Sequence, residues 1–174
     1  MKNKHLRHLI LFGTLVLTGL FIVQIYWFRK AFNVESQQFD HTVQVALIRV
    51  ADSVSSHAEV KKLSSNFYFV ATESNLNSEA LDTLLKSEFL KRNLQLDYEL
   101  GVYNADDDTL VYGQYVEATK RHQLEQQVET ITPGGTEQNF AVYFPKRDSY
   151  VAGQLDVWIF STLALLLMLC FFAW

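Results

Sequence analysis

The chain has 174 residues, 49% hydrophobic, 14% aromatic and 20% charged, with a formal net charge of −4. All nineteen acidic residues and twelve of the fifteen basic ones fall within 29–156, so this 128-residue middle carries −7 and argues against a nucleic-acid partner, which needs a basic face. The only cysteine, Cys170, excludes an internal disulfide and any paired-cysteine or Cys/His metal spacing.

The mean hydropathy of +0.02 averages two apolar ends and a hydrophilic middle. Leu9–Phe28 and Val157–Trp174 contain no acidic residue, Lys, Arg or His. About 20 helical residues cross the ~30 Å hydrocarbon core of a bilayer, so both read as transmembrane helices. The chain then divides into a cytoplasmic N-terminus (1–8), a first span (9–28), an extracytoplasmic domain (29–156) and a second span cut by the chain end (157–174). Lys2, Lys4 and Arg7, helped by His5 and His8, favour a cytoplasmic N-terminus; Arg29, Lys30, Lys146 and Arg147 weaken that bias. The expected topology crosses the membrane twice, with the domain outside and the C-terminus returning to the cytoplasm. No small-x-small cleavage site follows the first span, so a retained anchor is expected. Tyr26, Trp27, Arg29 and Lys30, with Trp158 at the second span, read as membrane-interface anchors.

From Ala31 to about Ala58 the chain reads as one helix continuing out of the membrane, without Pro or Gly. Phe32, Phe39, Val43, Ala46, Val50 and Ser53 recur at three- and four-residue steps, broadened by Leu47 and Val54. The stripe suits packing on the domain's own core, the simpler use, or a two-helix dimer seam through Phe39, Val43, Ala46 and Val50. Both hold if it wraps around the helix.

Asn66–Thr72, with Phe67, Tyr68, Phe69 and Val70, predicts a strand. Asn77 or Ser78 can cap a second helix, with Glu79 and Asp82 near its positive end and Leu81, Leu85 and Phe89 on its apolar face. Leu96, Tyr98, Leu100 and Val102 alternate with polar or small residues, Asn104–Asp108 is turn chemistry, and Thr109–Val116 returns as a strand, which together predict a hairpin. Glu117–Glu129 is a polar helix or an irregular insert, Thr132-Pro133-Gly134-Gly135 a turn, and Gln138–Phe144 a further strand stopped by Pro145. Ser149–Asp156 leads back to the membrane. The fold class is α+β: a long membrane-continuous helix and a second helix packed on a small antiparallel sheet, flanked by two transmembrane helices.

Asp106-Asp107-Asp108 lacks the alternating ligands, mid-loop Gly and distal Glu of a calcium loop, and reads as a solvated turn. Asp40 and His41, adjacent on a helix, do not orient one another; surface or capping roles are expected for them and for His57. There is no GxSxG, HExxH or phosphate-cradling Gly-rich loop, so no catalytic residue, metal site or cofactor is assigned. Tyr98, Tyr103, Tyr112 and Tyr115 are the candidates for a ligand pocket. Their alternation puts some on the outer face of the hairpin and some on the inner.

Gln24-Ile25-Tyr26-Trp27-Phe28-Arg29-Lys30-Ala31-Phe32, with Phe39-Asp40, Val43, Ala46-Leu47 and Val50-Ala51, resembles the start of certain bacterial two-component sensor histidine kinases. Asp97–Asn104 and Leu110–Gly113 resemble the sensor-domain strands of that group. Ala141–Arg147, Tyr150 and Trp158 resemble the stretch entering its second span. The resemblance covers nearly the whole chain and consists of aromatic and helix-packing positions rather than catalytic ones. It implies the sensory input half of a kinase, a homodimer that takes up an extracytoplasmic ligand or protein, and, by analogy, a PAS-like sheet. The phosphoacceptor and ATP-binding parts of that family have no counterpart here; His57-Ala58-Glu59 does not place Glu directly after His. The alternative expectation is a non-signalling envelope scaffold that docks other membrane proteins.

Overall fold

The computed structural model describes residues 2–118 and 137–173, apart from the side chains of 2–6, 9, 10, 73, 157–159 and 169–173. The predicted insert beyond Ala118 and the turn at Thr132–Gly135 lie outside the described residues, as do the side chains of Trp158 and Cys170. The chain falls into two units, Met1–Gln37 with Val151–Trp174, and Gln38–Tyr150.

Helix α1 runs Lys2–Val54 and contributes to both units. Among the described residues it holds the one helix long and apolar enough to cross a membrane, and none of that apolar stretch is buried. Leu11, Phe12, Leu15, Ile22 and Ile25 are all more than half exposed. Helix α4, Asp156–Ala173, shares the first unit. There Gln24 of α1 donates from Nε2 to Ser161 Oγ at 3.1 Å and to Thr162 Oγ1 at 3.0 Å.

The second unit is α+β. Its five strands are β1 (Glu59–Ser64), β2 (Phe67–Ser74), β3 (Tyr98–Asn104), β4 (Leu110–Val116) and β5 (Gln138–Tyr143). They form one sheet in the order β1-β2-β5-β3-β4, with every neighbouring pair antiparallel. Helix α2, Ser78–Lys91, starts where Asn77 Oδ1 accepts the amides of Glu79 (3.0 Å) and Ala80 (3.1 Å), satisfying donors that a helix start leaves open. A short helix α3, Arg147–Gly153, follows β5.

The helices cover one face of the sheet. From α1 come Phe39, Val43, Ala46, Leu47 and Val50, and from α2 Leu81, Leu85 and Phe89, each no more than 4% exposed. The sheet answers with Tyr68, Val70, Tyr98, Leu100, Val102, Phe140 and Val142. Phe144, just past β5, is the hub. Its ring meets Phe39 at 5.5 Å, Phe89 at 5.8 Å, Tyr68 at 6.0 Å and Tyr98 at 6.3 Å, mostly in the edge-on or tilted geometry that ring quadrupoles favour.

The predicted hairpin is β3–β4, closed by its turn: Asn104 Oδ1 accepts the Asp106 amide, and Asp107 Oδ1 accepts both the amide and the hydroxyl of Thr109. Asp108 adopts φ 54°, a left-handed conformation that Asp tolerates better than most residues. Two differences from the sequence reading stand out. Helix α1 ends at Val54 rather than near Ala58, because the Ser55 hydroxyl takes the His57 amide and turns the chain into β1, an unpredicted strand. The return segment is also helical from Arg147, two residues earlier than the expected lead-in.

Candidate functional site

On the face of the sheet opposite the helices, side-chain alternation brings up Phe67 from β2, Tyr143 from β5, Glu99 from β3 and Tyr115 from β4. Register makes these four consecutive cross-strand neighbours: Phe67 opposes Tyr143, Tyr143 opposes Glu99, and Glu99 opposes Tyr115. Directly opposed side chains stand about 5 Å apart at Cβ, so the row is a continuous wall. Phe67 and Tyr143 tilt against each other at 6.4 Å.

The next row on this face is Ala141, Gly101 and Gly113, again in register, and its small residues form a floor. Tyr103 and Leu110 close the far side. The Tyr103 ring lies over Gly101: a Cβ at that position would meet Tyr103 Cε2 and Oη at 3.0 Å. The result is an open depression of about 380 Å³ lined by these residues. That lies at the small end of the range of about 300–1,000 Å³ for ligand pockets.

At one end of the wall Asp97 accepts hydrogen bonds from Lys146 Nζ (2.7 Å), the Ala118 amide (2.8 Å) and Tyr115 Oη (3.1 Å). The Lys146 bond, which outweighs burial, holds the Asp97 carboxyl below its ordinary value. In turn, burial and the Asp97 carboxylate push the Tyr115 hydroxyl upward, so it stays a donor at neutral pH.

On the helix side a second polar cluster joins three elements and the stretch after β5. Asp40 of α1 accepts from Tyr68 Oη of β2 at 2.7 Å, from Arg147 Nη2 at the start of α3 at 3.2 Å, and from Lys62 of β1 in a close contact. Arg147 is 4% exposed, and its guanidinium carbon stands 5.4 Å from the centre of the Phe39 ring. Burial opposes ionisation of Asp40, but the hydrogen bonds from Lys62 and Tyr68 and the Arg147 charge outweigh it and hold the carboxyl below its ordinary value of 3.8. Burial first, then Asp40, pushes the Tyr68 hydroxyl far upward.

The four predicted pocket tyrosines therefore divide. Tyr103 and Tyr115 face the depression. Tyr98 is fully buried on the helix side, packed on Phe89 at 5.1 Å, and Tyr112 lies half-buried on that same side, its hydroxyl donating to Gln114 Oε1 at 2.6 Å. Sequence reasoning missed Glu99, whose signal was its place on the same side of the β3 alternation as Tyr103, and Phe67 and Tyr143, which only the strand order brings beside it.

Phe39, Val43, Ala46 and Val50 sit inside the second unit's core, at most 4% exposed, and so have no free surface to offer a second helix. Asp40, expected at the surface, is instead the centre of the ion cluster. Of the interface anchors, Tyr26 and Trp27 are exposed, their rings 5.9 Å apart, and Lys30 Nζ lies 4.9 Å from the centre of the Trp27 ring; Arg29 is exposed. Compared with family models, with curated proteins and with solved structures, the chain matches none.

Proposed function

We propose that this chain is the sensory input module of a membrane-bound two-component histidine kinase. In this reading Leu9–Phe28 and Val157–Trp174 cross the bacterial inner membrane and the α+β domain receives a signal on the periplasmic side. The observation that supports it most is the double use of α1. One helix supplies the exposed apolar stretch of the first unit and, from Phe39 to Val50, the buried spine of the second. A change in how the domain holds that spine is therefore transmitted along a hydrogen-bonded rod, which bends far less readily than a loop. The pairing of Gln24 with Ser161 and Thr162 supports a two-helix membrane hairpin, since such side chains bond across helices in lipid.

A ligand shifts such a device only by its differential affinity for two arrangements. The module acts as a homodimer whose contacts come from the exposed side of α1, where His41 and Ile48 stand one heptad apart.

The test is a chimera. The chain is joined after Trp174 to the dimerisation and ATP-binding core of a histidine kinase, and autophosphorylation is followed in inner-membrane vesicles. Substitutions at Asp40 that loosen α1 from the sheet are expected to change the phosphorylation level several-fold. A level indifferent to Asp40→Ala, in vesicles where the chimera is folded and inserted, counts against the proposal. A coding sequence that stops after Trp174 with no kinase gene adjacent favours the envelope scaffold.

A further inference from the structure

The depression on the outer face of the sheet has a chemical bias that narrows its occupant. We infer that it binds a small organic ammonium ion, a primary or quaternary amine carried on a compact apolar body. Its one charged lining group is Glu99, exposed and, among the described residues, engaged by no hydrogen bond or ion pair. Cross-strand register sets Glu99 between Tyr143 and Tyr115, with Tyr103 across the glycine floor. Ring faces are the negative part of an aromatic quadrupole, so the tyrosines and the carboxylate favour the same sign of guest.

The alternatives are chemically poorer. An anion would meet Glu99, and no basic side chain among the described residues lines the depression; Lys146 is held by Asp97. A hard metal ion needs six or more oxygen ligands, and one carboxylate with phenol rings does not supply them. A neutral apolar guest would strip water from Glu99 without pairing its charge. The Tyr103 ring covers Gly101, so the room for the guest's body lies over Gly113, where an added Cβ would meet only Leu110 Cδ2, at 3.5 Å. The inference deepens the reading of the domain as a ligand-receiving module, and rests on it for biological sense, but binding itself is measurable without signal transmission.

The experiment uses the full chain in lipid nanodiscs, with choline as the probe and its uncharged isostere 3,3-dimethylbutan-1-ol as control. Saturation-transfer NMR on the probe's methyl protons reads occupancy. Choline is expected to bind saturably, and Glu99→Gln to weaken it about fivefold, the upper end for a solvent-open charge pair. Tyr143→Leu should weaken it about two- to fivefold by removing one ring face. Near-UV circular dichroism checks that both variants remain folded, and Gly101→Val, which forces the Tyr103 ring off the floor, serves as a second route to the same loss. The inference is overturned if wild-type chain shows no saturable choline binding, if the isostere binds as well as choline, or if Glu99→Gln leaves binding unchanged. None of these results touches the chimera experiment, and a chimera indifferent to Asp40→Ala leaves choline binding intact, so the two failures are distinguishable.

Discussion

Asp40→Ala is the substitution whose cost the geometry specifies best. It removes the shared acceptor of Lys62, Tyr68 and Arg147 at once. Arg147 is 4% exposed and Asp40 20%, so this is not a surface pair. Breaking a buried pair by deleting one partner costs about 3–5 kcal/mol when the other charge is left uncompensated, whereas Arg147 keeps Asp148 Oδ1 at 2.8 Å. Partial solvent access to Asp40 places the expected loss at the lower end, about 3 kcal/mol. Arg147→Ala should cost less, about 2 kcal/mol, since Asp40 keeps Tyr68 and Lys62. Lys62→Ala should cost about 1 kcal/mol or less, because its side chain is 29% exposed and meets water readily. The assay is thermal unfolding followed by near-UV circular dichroism, which reads the tyrosine-rich core and ignores helices that stay folded in detergent. At about 4 °C per kcal/mol for a domain of this size, Asp40→Ala should lower Tm by roughly 12 °C. Equal losses from Lys62→Ala and Asp40→Ala, or a loss below about 1 kcal/mol in the latter, would refute the assignment of Asp40 as a half-buried hub.

Four further outcomes are expected. Acid titration should destabilise the domain as pH falls through the depressed pKa values of Asp40 and Asp97, below the ordinary 3.8; both contribute stability that is fully present above that value, and Asp40→Asn should remove its part of the acid dependence, as denaturation midpoints between pH 2 and 6 will show. Val43→Glu, at a position 0% exposed, should unfold the domain, whereas Ile48→Glu, 46% exposed, should change stability by no more than about 0.5 kcal/mol while weakening self-association in analytical ultracentrifugation. Gly101→Ala should alter stability by less than about 1 kcal/mol, because the ring end of Tyr103 can swing aside, yet it should change the Tyr103 ring signals in NMR. Gln24→Leu, by removing the bonds to Ser161 and Thr162, should cost about 1–2 kcal/mol of helix-pair association, measurable by resonance energy transfer between labelled spans in lipid.

The elements that announced themselves in the sequence are those whose burial has a period. The buried stripe of α1, the Leu81, Leu85 and Phe89 face of α2, and the alternation of Tyr98, Leu100 and Val102 each repeat because one side of a regular element meets the core. Strand β1 gave no such signal. Glu59, Lys61, Lys62, Leu63 and Ser64 are exposed and only Val60 is half-buried, as befits a sheet edge kept from further pairing by its charges. The ion cluster was equally silent, for its halves, Asp40 and Arg147, are 107 residues apart and look like ordinary charges until the chain is folded. For the depression half the signal was present. Tyr103 and Tyr115 could be paired by alternation within one hairpin, but Tyr143 and Phe67 join them only through the β2–β5–β3 order, which no local pattern encodes.

That strand order also determines how an event on the outer face could reach α1. Glu99 and Tyr98 are neighbours on β3 that point to opposite faces, one toward the depression and the other into the aromatic core. Tyr98 touches Phe144, and Phe144 touches Phe39 of α1. Each of these contacts is between rings in a close-packed interior, which transmits displacement rather than absorbing it. Packing alone is not a switch, however; coupling needs an element with two arrangements that both sites bias. The Asp40 cluster fits that requirement better than the aromatic core. It fastens α1 to two strands and to the segment returning toward α4; Tyr68 and Arg147 are buried there, but Asp40 is 20% and Lys62 29% exposed, so exchanging the Lys62 contact for water costs far less than reopening the rings around Phe144.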